Sequence, residues 1–376
     1  MKNTQALLAK RLQQRIENNS YRTLKPSSGL IDFCSNDYLG FARSEELKKL
    51  FQTKLSHYPD YKLGSTGSRL LAGNDLFTEE LEAEIALFHQ AESALLFNSG
   101  YDANLGLFSS LAQRGDTLIC DELIHASIID GARLSFANRY NFKHNDLSSL
   151  EEKLRHASQT KGQVFIAVES IYSMDGDEAP LKEICGLASR FNSAILVDEA
   201  HATGIFGHQG RGLVHELNLQ DQVFARLITF GKGLGSHGAA VLGSHTLRSY
   251  LVNFARSFIY TTAAPFSSHL TTKIAYRFLQ SQDHQRALME RIKCFRDILQ
   301  DKPQLLYSRS AIQAILIPGN REAKQAATEL EKAGFDVRAI LSPTVKTGSE
   351  RLRICLHNHN SIEEVEQLAT QLKSIL

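Results

Sequence analysis

The sequence predicts an α/β fold, a mostly parallel central sheet covered by helices, with a smaller α+β domain at the C-terminus. Short apolar runs alternate with segments of helical period between about residue 76 and residue 243. Such alternation implies βαβ units and a parallel sheet. Beyond Tyr260-Thr-Thr-Ala-Ala-Pro265 and a long helical region, strands and helices resume in a different order.

Taken in order, Met1–Asn19 reads as an amphipathic helix. The strand candidates are Ala94–Asn98, Thr117–Cys120, Val164–Glu169, Ala194–Asp198, Leu227–Phe230 and Ala239–Leu242. Between them Phe77–His89 places Leu81, Ile85 and Phe88 on one helical face, and Leu147, Leu150 and Leu154 do the same further on. The C-terminal part reads strand Ala311–Ile317, helix Arg321–Gly334, strand Phe335–Ile340, strand Arg351–Leu356 and helix Ile362–Ile375. The expected division is an N-terminal arm over 1–40, a large domain over 41–268 and the α+β domain over 269–376.

Composition narrows the function classes. The 376 residues are 43% hydrophobic and 22% charged, as in ordinary soluble proteins. A net charge of +1 gives no global field for nucleic acid or an anionic membrane. Five cysteines stand singly without a CxxC pair, which argues against a disulfide framework or structural zinc. No stretch approaches the roughly 20 apolar residues of a membrane span, and the N-terminus lacks the apolar core of a signal peptide. The expected location is the cytoplasm.

In parallel sheets ligands collect beyond the carboxyl ends of strands, so the residues after each run matter most. Ala194-Ile-Leu-Val197 leads into Asp198-Glu-Ala-His201, and Phe165–Glu169 into Ser170-Ile-Tyr-Ser173-Met-Asp-Gly-Asp177. The run from Arg226 ends in Thr229-Phe-Gly-Lys232-Gly-Leu-Gly235. Asn98-Ser-Gly100-Tyr101-Asp-Ala-Asn104 and Asp121-Glu-Leu-Ile-His125-Ala-Ser127 follow earlier strands. A lysine amine can condense with an aldehyde cofactor, a carboxylate can keep a pyridine nitrogen protonated, and a helix start suits a phosphate.

Other readings of these pieces fall away. The Asp-Glu-Ala-His box of a helicase needs a GxxxxGK[ST] loop, and Gly231-Lys232 has no glycine five residues before it. Gly231-Lys-Gly-Leu-Gly-Ser236 ends in serine and lies late for a dinucleotide fingerprint. His201 and His208 lack the spacing of a metal site, so no metal is expected. His125 stays open to two readings, a ligand-stacking imidazole or a helix cap. Asp175 and Asp177 read as turn-formers.

The ordered set Ser35-Asn-Asp-Tyr-Leu-Gly40, Gly64-Ser-Thr-Gly-Ser-Arg69, His125-Ala-Ser127, Ser173-Met-Asp-Gly-Asp177, Asp198-Glu-Ala-His201, Thr229-Phe-Gly-Lys232-Gly and Arg351-Leu-Arg353 resembles the α-oxoamine synthase family over essentially the whole chain. These are fold type I pyridoxal 5'-phosphate (PLP) enzymes that condense an amino acid with an acyl thioester and release CO2. The resemblance implies a homodimer with shared active sites. It gives Lys232 the Schiff base and the proton transfer, Asp198 the pyridinium partner, His201 the ring hydroxyl and His125 the ring face. Gly100, Tyr101 and Thr229 then match phosphate contacts, and Ser173 a further cofactor contact. Thr261 or Thr262 would reach the phosphate of a neighbouring subunit. Asn36 and Arg353 match the amino-acid carboxylate ligands, with Arg351 a flanking or packing residue. Thr344 matches a substrate contact and Arg22 an N-terminal substrate arginine.

Arg69-Leu-Leu-Ala-Gly-Asn74, Phe142-Lys-His-Asn-Asp146 and Phe258-Ile-Tyr-Thr-Thr262 look most like the branch that joins L-alanine to pimeloyl-CoA or a pimeloyl carrier protein in biotin synthesis. His125–Arg133 looks instead like the branch that uses glycine and acetyl-CoA, and a serine and palmitoyl branch follows as third. One departure stands out: the family often has histidine shortly after Gly73-Asn74, where this chain reads Asp75-Leu-Phe-Thr78.

Overall fold

Seven strands build the central sheet: β1 Ser93–Phe97, β2 Thr117–Asp121, β3 Asn138–Phe142, β4 Val164–Glu169, β5 Ala194–Asp198, β6 Ala225–Thr229 and β7 Ala239–Gly243. Their order across the sheet is β1-β7-β6-β5-β4-β2-β3. Only β7 runs antiparallel, against β1 on one side and β6 on the other. The remaining strands are parallel, so their carboxyl ends share one edge of the sheet. Every residue of β2, β4 and β6 is buried, in keeping with their largely apolar sequences, and β6 buries Arg226 as well.

The computed structural model describes residues 2–24 and 29–376. The chain divides into two units, one of Asp37–Ser173 with Glu178–Arg286, the other of the stretch ending at Asn36 with Met174–Asp177 and Ala287–Leu376. The larger unit holds the central sheet. One layer of its core packs Leu107, Phe108, Ile128 and Leu251 against Leu118, Phe165 and Leu227 of the strands. Burying each such side chain contributes about 1.5–3 kcal/mol. The helices Gly100–Leu111 and Ala126–Leu134 meet at Gly131, where an added Cβ would lie 2.8 Å from Phe108 Cβ and 3.0 Å from the Asn104 carbonyl. No larger residue allows that approach.

In the smaller unit Arg338–Ile340, Arg351–Cys355 and Ile312–Leu316 form an antiparallel sheet. The helices Asn320–Lys332 and Ile362–Ile375 belong to the same unit, the second opened by a capping box of Ser361 and Glu364. The single strand expected over Phe335–Ile340 is broken at Val337. Its first part, Phe335–Asp336, pairs in parallel with Ile31–Asp32, and its second with Arg351–Arg353. The Cys355 N–H donates to the Phe33 carbonyl at 2.8 Å, which ties the segment before Asn36 to the strand that carries Arg353. The five cysteines are free thiols, with Cys120, Cys185 and Cys355 buried.

Candidate active site

The β5 strand delivers a buried carboxylate. Asp198 Oδ1 accepts the Ala200 N–H at 2.9 Å, and Oδ2 accepts from Asn104 Nδ2 at 2.8 Å. The next residue, Glu199, belongs to a different set of contacts. It accepts the Val214 N–H at 2.9 Å, lies 3.9 Å from Arg226, and sits where a Cβ on Gly212 would strike its carboxylate. Burial pushes Glu199 up to about 7. His201 follows, with Nδ1 at 2.7 Å from the Tyr38 hydroxyl and Nε2 at 2.7 Å from Lys232 Nζ. Lys232 is thus already in hydrogen-bonding range of a residue expected to touch the same cofactor.

Two further strand ends bring His125 and Glu169 to this carboxylate. Glu169 is in register with Asp198 across the β4–β5 ladder. Burial, then the charge of Asp198, pushes its carboxyl up to about 8, while its Oε2 accepts the Ser173 N–H at 3.1 Å. His125 caps the helix Ala126–Leu134, with Nδ1 accepting the Ser127 N–H at 3.2 Å. Burial lowers its pKa against the opposing pull of Asp198, and Lys232 lowers it further. The structure thus shows the helix cap, which uses Nδ1 and leaves the ring face to the other reading.

The helix Gly100–Leu111 opens at the same sheet edge, with Ser99 as cap on the Asp102 N–H. Gly100 lies so close to β6 that an added Cβ would meet Thr229 Cγ2 at 2.6 Å. Glycine there brings the free N–H groups of a helix start beside Thr229, a cradle suited to a phosphate. Tyr101 is partly exposed and its hydroxyl donates to the Asp130 carboxylate. Thr229 Oγ1 is 3.4 Å from the Ala200 carbonyl, and Ser173 is buried. Asn98 donates to Thr261 Oγ1 at 3.0 Å and to the Thr262 carbonyl at 2.7 Å.

The remaining expected residues lie in the smaller unit. Arg353 donates to Asn36 Oδ1 at 3.0 Å and lies 2.9 Å from Cys355 Sγ. Arg351 projects from the same face of its strand and pairs with Asp175. That pairing gives the Met-Asp-Gly-Asp turn a structural use. Arg22 donates to Thr344 Oγ1 at 2.9 Å, so two residues expected to contact substrate contact each other. The turn before Asn36 is held from several sides. Asp32 Oδ1 accepts the Cys34 and Ser35 N–H groups, each at 2.9 Å, and His357 Nε2 lies 2.9 Å from the Ser35 carbonyl. Burial alone would raise Asp32, but those hydrogen bonds hold its carboxyl well below the usual range.

The Asp75 departure has a local explanation. Asp75 caps the helix Leu76–Phe88, accepting the Thr78 N–H at 2.8 Å and the Thr78 hydroxyl at 2.6 Å. Sequence reasoning assigned no role to Tyr38, Asn104 or Ser127, although each falls inside a quoted motif. Their only sequence signal is a polar group beside apolar neighbours.

An amine, a buried carboxylate, an imidazole and a helix N-terminus at neighbouring strand ends are the donor set that PLP requires. The comparisons with known proteins agree. The family model for aminotransferase class I and II matches residues 28–372. The chain is 44% identical to an 8-amino-7-oxononanoate synthase of Emericella nidulans, over 92% of this chain and 89% of that one. It belongs to the α-oxoamine synthase family. An 8-amino-7-oxononanoate synthase of Marinobacter nauticus is 39% identical over 97% of this chain and 95% of its own. Among solved structures, a serine palmitoyltransferase from S. paucimobilis with a bound PLP–myriocin aldimine superposes with a TM-score of 0.89 at 25% identity, covering 98% and 96% of the two chains. An 8-amino-7-oxononanoate synthase from Francisella tularensis gives 0.77 at 28% identity, covering 93% and 99%. The fold is therefore that of the fold type I PLP transferases, and PLP is the cofactor of this α-oxoamine synthase.

Proposed function

We propose that the chain catalyses the decarboxylative condensation of L-alanine with a pimeloyl thioester, giving 8-amino-7-oxononanoate, CO2 and the free thiol of CoA or a carrier protein. The observation that carries this reading is the 44% identity, over 92% of the chain, to an enzyme of that name. In this reading the protein acts in the cytoplasm as a homodimer with shared active sites, and no helix among the described residues is long and apolar enough to cross a membrane.

Bound PLP supplies an aldehyde for an amine and a ring that absorbs the electron pair of a broken Cα–H bond. The residues do the rest. Lys232 would carry the cofactor aldehyde on Nζ and, as a free amine, would serve as the base for the Cα proton. Asp198, oriented by the Ala200 N–H and by Asn104 Nδ2, would sit against the pyridine nitrogen and keep a proton on it. His201 holds the ring hydroxyl and is itself oriented by Tyr38. His125 would lie against the ring face. Gly100, Tyr101 and Thr229 would hold the phosphate, Thr261 or Thr262 would reach that of a neighbouring subunit, and Ser173 would add a contact. Arg353 and Asn36 hold the amino-acid carboxylate until CO2 leaves, while Thr344 and Arg22 serve the acyl substrate.

A panel of L-alanine, glycine and L-serine against pimeloyl, acetyl and palmitoyl thioesters tests the assignment. Alanine with pimeloyl thioester should give the highest kcat/KM. The alanine preference over glycine should be modest, roughly tenfold, because one methyl adds only about 1 kcal/mol. Acyl discrimination should be sharper, since a neutral chain leaves polar partners of the distal carboxylate unpaired. A win for glycine with acetyl-CoA would make the chain a 2-amino-3-ketobutyrate CoA ligase. A win for serine with palmitoyl-CoA would make it a serine palmitoyltransferase.

A further inference from the structure

A buried hydrogen-bonded chain joins the two residues expected on the ring face and at the ring nitrogen. His125 Nδ1 lies 2.7 Å from Ser127 Oγ, which accepts from Asn104 Nδ2 at 2.9 Å, and the same amide nitrogen donates to Asp198 Oδ2 at 2.8 Å. Asn104 and Ser127 are 2% and 0% exposed, so bulk solvent does not reach these bonds.

The proton directions follow from chemistry. An ionised carboxylate only accepts, so the Asn104 NH2 must face Asp198, and the opposite flip would set Oδ1 against Asp198. Among the described residues Asn104 Oδ1 has no hydrogen-bond partner, so a flipped NH2 would also find no acceptor on that side. Both amide protons are then used, one on Asp198 and one on Ser127 Oγ. The Ser127 hydroxyl is left to donate to His125 Nδ1, which also accepts the Ser127 backbone N–H at 3.2 Å. Two donors on Nδ1 leave the proton of a neutral imidazole on Nε2. The close helix crossing at Gly131 makes the chain possible by bringing Asn104 of one helix against Ser127 of the other.

We infer that Asn104 and Ser127 are positioning residues that lock His125 as the neutral Nε2–H tautomer and orient it jointly with Asp198. This rests on the cofactor roles proposed above for His125 and Asp198. A neutral ring on the cofactor face leaves Asp198 to set the charge of the pyridine nitrogen. The charged groups that act on His125 are Asp198 at the end of β5 and Lys232 after β6, and the His125 backbone donates to Glu169 of β4.

Nitrogen NMR of the holoenzyme labelled with 15N-histidine reads the tautomer directly, with His125 assigned by its loss in His125→Asn. The wild type should show Nε2 protonated and Nδ1 bare at pH 7.5. Ser127→Ala should mix the tautomers, move the His125 titration upward and lower kcat/KM for the amino acid about tenfold, the loss of one buried hydrogen bond. Ser127→Thr, which keeps the hydroxyl, should restore the wild-type spectrum. Asn104→Ala should produce the Ser127→Ala spectrum. An Nδ1–H tautomer or an imidazolium in the wild type would overturn the inference. So would identical spectra for Ser127→Ala and Ser127→Thr, a comparison that decides even if Asn104→Ala fails to fold. The same spectra without added PLP separate the two readings: a protein that takes up no PLP yet shows the locked tautomer refutes the cofactor roles and leaves the chain intact.

Discussion

Two pairs of residues show how differently this molecule treats its charges. At the strand ends of the larger unit, Asp198 accepts from the Asn104 amide and Lys232 Nζ lies 2.7 Å from His201 Nε2. In the smaller unit, Arg351 and Arg353 lie two residues apart on one strand face, yet Arg351 pairs with the Asp175 carboxylate while Arg353 donates to the Asn36 amide. Neutral partners fix a charged group in place without cancelling its charge, so it still acts on a ligand. A carboxylate partner cancels it. The carboxylate partner of Arg351 gives that side chain a structural use, while the Asn36 amide leaves the Arg353 contact uncharged on one side.

The largest effect is expected at Lys232. Lys232→Ala should fold and bind PLP, yet lose about 10²–10⁴-fold in exchange of the alanine Cα proton, the usual contribution of a general base. Deuterium wash-in followed by NMR measures it, and normal exchange would place the base elsewhere. Next in size is the arginine pair. Arg351→Ala leaves Asp175 without its partner and should cost roughly 3–5 kcal/mol of stability by denaturant unfolding, with little change in KM. Arg353→Ala should instead raise KM for the amino acid about tenfold to a hundredfold, since a charge-assisted contact contributes about 1.5–3 kcal/mol. Equal KM effects at both positions would dissolve the contrast.

The smallest effect concerns pH. Glu169 is raised to about 8 and Glu199 to about 7, so both retain protons in the fold that an unfolded chain has released. Stability from each is therefore full below the ordinary glutamate range and falls as pH rises through the folded value, by up to about 1.4 kcal/mol per pH unit and proton. His269, lowered to about 4, acts in the opposite sense, but only below the ordinary histidine range. Between pH 6.5 and 8.5 the carboxyls should dominate. Unfolding free energy should decline across that window, and Glu169→Gln should flatten the decline. An unchanged slope in that variant would show Glu169 ionised in the fold.

How far the sequence foretold all this depends on whether a feature is local. Buried strands such as Val164–Glu169 and Ala194–Asp198 were legible because every residue in them is apolar or ends the run. The edge strand Asn138–Phe142 was not. Its first residues are exposed and polar, so no apolar run marks it. The break at Val337 was hidden for a different reason, since the partner Ile31–Asp32 comes from the far end of the chain. The same holds in the site. Lys232, Asp198 and His125 carry chemistry that their own residue types announce, but Tyr38 and Asn104, though inside motifs, act through His201 and Asp198, partners that only the fold brings to them. Asp75 was legible in retrospect as a cap, an acid three residues ahead of Thr78 at a helix start.

The account turns on where PLP is attached. The purified protein should be yellow, and borohydride should bleach it while fixing the cofactor irreversibly to one lysine. Peptide mass mapping should find that adduct on the peptide containing Lys232, and Lys232→Ala should carry none. A colourless protein that takes up no added PLP, or an adduct on any other lysine, would contradict the central claim.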